Sequence, residues 1–302
     1  MSHPVGSAAL TRHGSEPLQQ WWAELRRELP WRATRDPWAV LVCEVMAQQT
    51  PVARVIERWA PFLERFPTVE ACAAAPVADV LRLWSGLGYN RRALALHRCA
   101  STVVHEHGGR FPADVDALLP LPGIGPYTAR ALAVFAFELD HGVVDTNSAR
   151  VLARWEGRRL SAREVQAAAD TAVPAGDSWA WNQAMLDLGA GVCTRRAPDC
   201  ARCPVAARCR WRQAGNPPPD PADGSAGVSG GQSRFVGSDR QGRGRLVDAL
   251  RGGDVAAEAL GAAMGWPDDP VRAERVAATL VAEGLVHRTA DRYHLPAVDR
   301  SP

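Results

Sequence analysis

The stretch LPGIGPYTARALAVFAFELDHGVVDTN, residues 121–147, decides how the rest of the chain is read. It opens on Pro122-Gly123-Ile124-Gly125, and Pro126 follows where the first residue of a helix would sit. Residues 127–132, YTARAL, continue that helix. Gly123 and Gly125 permit a tight turn whose free N–H groups converge at the helix start, which suits a phosphate. Further on, Gly142-Val143-Val144 leads to Asp145, placed as the N-cap of a helix over residues 146–155. An anion site and a carboxylate are thus joined by one helix.

Upstream, Leu18, Trp21, Trp22, Leu25 and Leu29 recur at helical spacing and predict a helix over residues 17–30, broken by LPWR at 29–32. Asp36-Pro37 starts another, in which Trp38, Leu41, Val42, Val45 and Met46 form one buried stripe. Glu44 borders that stripe. Partial desolvation there would favour the protonated acid; a rim glutamate paired with an arginine is the competing reading. Helices are expected over 52–66, 68–74, 77–83, 91–107 and 115–119. Between them, SGLGY at 85–89 is a tight turn ending on Tyr89, either a ring open to stack on a base or a core tyrosine under the turn. Three more helical stretches follow Asp145, the last ending in WAWNQAMLDLG at 179–189. No strand is expected before residue 280, so the fold class is all-α.

The 302 residues, 46 % apolar and 23 % charged, suit two compact domains and a small third. No apolar run spans a bilayer and residues 1–16 lack a signal-peptide core, reading as a disordered tail of a cytoplasmic protein. A net charge of +2 is too small to demand nucleic acid. All 35 basic residues are arginine, so no lysine amine exists for Schiff-base catalysis.

Of seven cysteines, Cys43, Cys72 and Cys99 sit in apolar helical contexts, as small hydrophobes do. Cys193, Cys200, Cys203 and Cys209 crowd into a loop with 6-2-5 spacing. Structural zinc usually takes two CxxC-like pairs and only Cys200 and Cys203 form one, so the spacing favours an iron–sulfur cluster over zinc. Six arginines at 195, 196, 202, 208, 210 and 212 surround it against Asp199, as a solvated surface or a phosphate-facing rim. Residues 216–232, NPPPDPADGSAGVSGGQ, have the composition of a linker. Beyond it, helices over 240–250, 255–264 and 270–283 and a hairpin of 285–288 with 292–295 make a winged-helix pattern, either a DNA or protein binder or a helical cap without a ligand.

LPWR (29–32), DPWAVLVCEVMAQQT (36–50), GLGY (86–89), HGGRFP (107–112), LPGIGPYTA (121–129), VVDTN (143–147), NQAMLDLGA (182–190) and the four loop cysteines occur in one order. This set resembles the A/G-specific adenine DNA glycosylases of the MutY type, within the helix-hairpin-helix superfamily that includes endonuclease III. The resemblance covers about residues 20–212. It implies a two-lobed helix-hairpin-helix glycosylase fold: a six-helix lobe over 32–134, and a cluster lobe of 17–31 plus 135–215. A linker over 216–234 and a winged-helix-like module over 235–302 would follow. It also implies a [4Fe-4S] cluster on Cys193, Cys200, Cys203 and Cys209, and a monomer that acts on double-stranded DNA with a mispaired adenine, near the nucleoid if bacterial. Glu44 would be the general acid and Asp145 the carboxylate that stabilises or traps the sugar cation, facing each other across a cleft, with Tyr127 and Asn147 in support. Gln183 would read the adenine edge. Gln49 and Tyr89 would wedge and stack in the duplex, and Arg32, Gly123 and Gly125 would complete the DNA-contacting set. Tyr127 replaces the lysine nucleophile of lyase-type relatives, so a monofunctional enzyme is expected. The alternatives are a thymine glycosylase for G:T mismatches and a non-catalytic lesion binder. Departures are Ala47 for a usual leucine, Asn90 after Tyr89 for a common second tyrosine, and a tail too short and too helical for the family's Nudix-like reader of 8-oxoguanine.

Overall fold

The computed structural model describes residues 16–228 and 234–297. The tail expected over 1–16 lies, apart from Glu16, outside the described residues, as do 229–233 of the expected linker. Helices dominate in chain order: α1 (Glu16–Leu25), α2 (Pro37–Ala47), α3 (Val52–Arg65), α4 (Val69–Ala73), α5 (Val77–Leu83), α6 (Arg91–His107), α7 (Val115–Leu118), α8 (Pro126–Phe135), α9 (Thr146–Glu156), α10 (Ala162–Ala172), α11 (Ser178–Gly191) and α12 (Arg210–Gln213). After them come α13 (Asp239–Gly252), β1 (Val255–Ala256), α14 (Leu260–Met264), α15 (Pro270–Ala282), β2 (His287–Arg288) and β3 (Arg292–His294). None of the described helices is long and apolar enough to cross a membrane.

Two expectations about elements are corrected. The first helix stops at Leu25 instead of residue 30, because the Arg27 N–H turns to the Asp187 carboxylate and leaves the helical ladder. A strand does occur before residue 280. Val255 and Ala256 pair antiparallel with Tyr293 and Arg292, which shortens the helix expected over 255–264 to α14. Ladder hydrogen bonds to a buried tyrosine strand win over local propensity here.

The chain divides into two compact units, one built from residues 1–37 and 126–231, the other from 38–125 and 232–302. In the first, α1, α9, α10 and α11 enclose an apolar core around Trp22, Trp155, Trp181 and Leu188. α8 packs on α11, so the division falls at residue 125 instead of 134. The proline-rich stretch after 216 is no free linker over its described part. Asp220 pairs with buried Arg154, Ala222 and Ser225 are buried, and the Ala226 N–H donates to the Leu160 carbonyl. Composition had pointed to solvent; the buried guanidinium draws the segment in.

In the second unit, Phe62 packs edge-to-face on Phe66 and Trp84 and tilted on Trp38, and the Trp38 indole N–H donates to the Phe66 carbonyl at 2.9 Å. Cys72 and Cys99 are buried here and behave as small apolar groups, their thiols pushed up to about 12 by burial. The C-terminal helices α13, α14 and α15 pack on one another beside a three-stranded sheet of order β1-β3-β2. This winged-helix arrangement is no detached module. α13 lies against α5, and the Ala78 N–H donates to the Pro296 carbonyl at 3.0 Å.

Candidate active site

Asp145 caps α9 as the sequence indicated. Its Oδ1 accepts from the N–H groups of Asn147 (2.8 Å) and Ser148 (2.7 Å), while the Ser148 hydroxyl accepts from the Asp145 N–H, closing a capping box. Oδ2 accepts from the Asn147 side-chain amide at 2.9 Å. The other end of that amide accepts from Arg150 at 2.9 Å. A carboxylate only accepts and a guanidinium only donates, so the Asn147 orientation is forced. Arg150, buried and lowered in pKa chiefly by that burial, also donates to the carbonyls of Gly189 and Cys193. The approach to Asp145 is fixed from α11: Asn182 accepts from the Val143 N–H at 2.7 Å and donates to the His141 and Ser178 carbonyls. At Gly189 a Cβ would lie 2.6 Å from the Asn147 Cβ and 2.8 Å from its carbonyl oxygen, so only glycine lets α11 pass this close to α9.

Gln183, expected to read a base edge, is 6 % exposed on α11. Its amide oxygen accepts from Arg32 Nε at 2.8 Å, which fixes which end of the amide is presented. Arg32 itself departs from the expected DNA-contacting role. Its side chain is buried, paired two-pronged with Asp187 at 2.8 and 2.9 Å. Arg27 reaches the same carboxylate at 2.6 Å. Burial acts to raise the Asp187 pKa, but the hydrogen bonds and charges of Arg32 and Arg27 outweigh it and hold the carboxyl below its ordinary value.

Cys193, Cys200, Cys203 and Cys209 line one small cavity together with Val192, Pro198, Ala206 and Trp211 and the charged Arg154, Asp199 and Arg212. Among the described residues no three His, Cys, Asp or Glu side chains are grouped tightly enough for one metal ion. Arg154 Nη1 donates to Cys193 Sγ at 3.3 Å, and Arg154 also holds Asp220 and stacks on Trp211. Burial raises the thiol pKa values of Cys193 and Cys209, and lifts that of Cys203 to about 11. Four thiolates exceed what the nearby guanidinium groups of Arg154, Arg150 and Arg212 offset; a positively charged metal centre would supply the missing compensation. An apolar, sulfur-lined cavity of this kind fits a four-thiolate cluster.

In the second unit, Glu44 is half-buried on α2, where Leu41, Val42, Val45 and Met46 are buried. Gln49 and Tyr89 are exposed, and both adopt left-handed backbone (φ +54° and +46°). Tyr89 is 38 % exposed, which excludes the core-tyrosine reading. Between them lies a residue the sequence reading missed. Arg92 donates to the carbonyls of Val45, Met46 and Gln48 at the end of α2, and to Leu87 and Gly88 of the glycine turn. Burial pulls its pKa to about 10. It ties the carbonyl end of α2 to the turn that carries Tyr89. Nothing in a run of arginines marks one as buried, so its role was not legible. In the hairpin, Gly123 is left-handed and its position admits no Cβ, which would meet Ala95 at 2.7 Å. Gly125 has ordinary φ and open space, so the expectation of a special backbone conformation holds only for Gly123. Tyr127 is half-buried in the first turn of α8.

Residues 42–175 match the HhH-GPD superfamily of base excision DNA repair proteins. The adenine DNA glycosylase of Mycolicibacterium smegmatis is 42 % identical over 279 residues, 91 % of this chain and 92 % of that protein. That of Mycobacterium tuberculosis strain H37Rv is 41 % identical and aligns over 97 % of both chains. The human adenine DNA glycosylase is 40 % identical over 65 % of this chain, which is only 39 % of the human protein. A solved thermostable thymine-DNA glycosylase superposes with a TM-score of 0.63 at 30 % identity, covering 66 % of this chain and 94 % of that one.

Proposed function

The chain belongs to the adenine DNA glycosylases of the helix-hairpin-helix base excision repair superfamily, and from that premise we propose that it removes adenine mispaired with 8-oxoguanine or guanine in double-stranded DNA. The observation that carries the reading is the Asp145 carboxylate, gripped by two backbone N–H groups and by Asn147, which Arg150 holds in turn. Binding alone needs no such fixed acceptor; a cationic sugar does.

The adenine must leave the stack before any side chain reaches its glycosidic bond. Gln183, oriented by Arg32, offers its amide to the base edge. Glu44 gives its proton to the departing adenine, at N7, so that the base leaves as a neutral species. Asp145 stabilises the oxocarbenium-like sugar or bonds to its C1′; water then completes the hydrolysis, as in glycosidases that use paired carboxylates. Tyr127 stands where a lyase would carry a lysine amine, and the chain has no lysine, so the product is an unnicked abasic site. Cys193, Cys200, Cys203 and Cys209 would hold the [4Fe-4S] cluster, which braces the loop and, when bound, offers one-electron chemistry that hydrolysis does not use.

The test is base release from duplexes carrying A:8-oxoguanine, A:G, A:C and T:G, with alkali added to reveal abasic sites. Adenine release from the first two is expected; preferential release of thymine from T:G favours the rival substrate. Glu44→Gln and Asp145→Asn should each bind the mispaired duplex yet release base about 10²–10⁴-fold more slowly. Normal cleavage by either variant removes that residue from the mechanism.

A further inference from the structure

Asp220 lies in the proline-rich stretch, outside the proposed chemistry, yet it governs the hydrogen bonds reaching one sulfur of the cysteine loop. The group it holds is Arg154 of α9, whose side chain is only 2 % exposed. A guanidinium carries five N–H donors in a fixed plane, and here every one has an acceptor. Nε donates to the Asp220 carboxylate at 3.1 Å, and Nη2 donates to its Oδ2 at 2.6 Å. The Thr194 and Arg195 carbonyls accept from Nη1 at 2.7 Å and Nη2 at 3.0 Å. The remaining Nη1 donor goes to Cys193 Sγ at 3.3 Å. With the Trp211 ring stacked at 4.9 Å, the orientation of the guanidinium is fixed.

The carboxylate arrives on a strap secured at both ends. At its start the Trp211 indole N–H donates to the Pro217 carbonyl at 2.9 Å, and Asn216 Nδ2 lies 4.0 Å from Cys200 Sγ. Further along, the Leu160 N–H donates to Ser225 Oγ at 3.1 Å, and the Leu160 carbonyl accepts from Ala226 at 3.0 Å. The Thr146 hydroxyl closes the far end by donating to the Gly227 carbonyl at 2.9 Å. Pro217, Pro218, Pro219 and Pro221 reduce the freedom that such a stretch loses on ordering. Within it the Ala222 N–H donates to Asp220 Oδ1 at 2.9 Å and sets the carboxylate. A buried arginine needs a carboxylate for its own sake, and that need would explain the pair. It would not place an N–H on the sulfur. A donor on a ligating sulfur draws charge from it, which favours the more negative state of an iron–sulfur centre and steadies the ligand.

We propose that Asp220 is a positioning residue for the cluster: from the strap it aims the Arg154 guanidinium at the Cys193 sulfur, and so raises the cluster's reduction potential and slows its loss. The inference rests on the reading of the four cysteines as cluster ligands. Asp220 acts through Arg154, not by its own charge. A carboxylate near the cluster opposes the gain of an electron, so its charge alone would lower the potential. The two roles therefore differ in sign.

The experiment uses the full chain as purified. Iron and acid-labile sulfide in the wild type are counted first. Their absence overturns the cluster reading and this inference with it; their presence leaves the strap to be judged alone. The reduction potential is then measured by protein-film voltammetry, and cluster loss by the rate at which an iron chelator bleaches the absorption near ~400 nm. The variants are Asp220→Ala, Asp220→Asn, Arg154→Gln, the double variant Asp220→Ala with Arg154→Gln, and Asp223→Asn as an exposed carboxylate control on the same strap. Asp220→Ala is expected to lower the potential and to speed bleaching about 10–100-fold, and Arg154→Gln to do the same. The double variant should be no worse than Arg154→Gln. Asp220→Asn keeps an acceptor oxygen for Arg154 and should hold the potential at or above that of wild type, and the control should match wild type. A raised potential in Asp220→Ala overturns the proposal, because the carboxylate then acts as a charge. So does an unchanged potential with a lowered melting temperature, the mark of a purely structural pair, and so do additive effects in the double variant. If Arg154→Gln does not fold, the opposite signs expected of Asp220→Ala and Asp220→Asn decide the matter.

Discussion

Asp187 stands outside the proposed chemistry yet holds a residue assigned to it in place. The residue stands in the NQAMLDLGA motif, and only the fold shows that it anchors Arg32, which in turn orients Gln183. Its folded pKa lies below the unfolded value, so its contribution is complete above about pH 4 and is lost as pH falls through the depressed value. Acid titration of stability should therefore lose a step in Asp187→Asn. That variant strands the buried Arg32 charge and should be destabilised by about 3–5 kcal/mol, read by denaturant unfolding at neutral pH. An unchanged acid limb would show that Asp187 is not the titrating group. Tyr127 carries the other prediction at this scale. Borohydride added during turnover should trap no strong protein–DNA adduct, because no lysine exists to form the imine.

At the scale of elements, the proposed catalytic arrangement depends on how closely α9 and α11 approach. Gly189 permits it, and Arg150 bridges the two helices by binding the Asn147 side chain and the Gly189 carbonyl. Gly189→Ala must push the helices apart by a few tenths of an ångström or more, since its Cβ would meet Asn147 backbone as well as side chain. Expected costs are about 1–3 kcal/mol of stability and a fall in kcat larger than any change in KM, since Asp145 and Asn147 move together. A normal kcat would show that α9 absorbs the shift without moving its cap. The glycine turn is held by comparable means, with Arg92 receiving the carbonyl end of α2 on one side and the turn on the other. Two exposed residues in left-handed backbone, Gln49 and Tyr89, persist beside that anchor.

For the whole molecule, metal content and the C-terminal region matter most. The purified protein should be brown, with four iron atoms per chain and broad absorption near ~400 nm, and Cys203→Ser should lose colour and stability together. A colourless protein with one zinc reverses the assignment. The C-terminal region joins the unit that carries Glu44, docked through Arg251, Arg240 and the Ala78–Pro296 hydrogen bond. The alignment with the mycobacterial protein runs over 97 % of both chains, so this relative shares that region, whereas the alignment with the human enzyme covers 65 % of this chain.

Local chemistry was enough to read the helices, the capping aspartate and the cysteine loop, because periodicity, N-cap preference and thiol spacing act within a few residues of chain. Residues 121–147 held the Gly123 turn and the Asp145 cap in plain view. What tertiary structure decided were matters of burial and partnership between distant segments. Arg32, Arg92, Arg150 and Arg154 are four arginines among 35, and sequence treats them alike. Only packing removes them from water, and a buried guanidinium must then find carbonyls or carboxylates wherever the fold supplies them. The same need folded the proline-rich stretch against Arg154 through Asp220, and set Arg251 on Asn90.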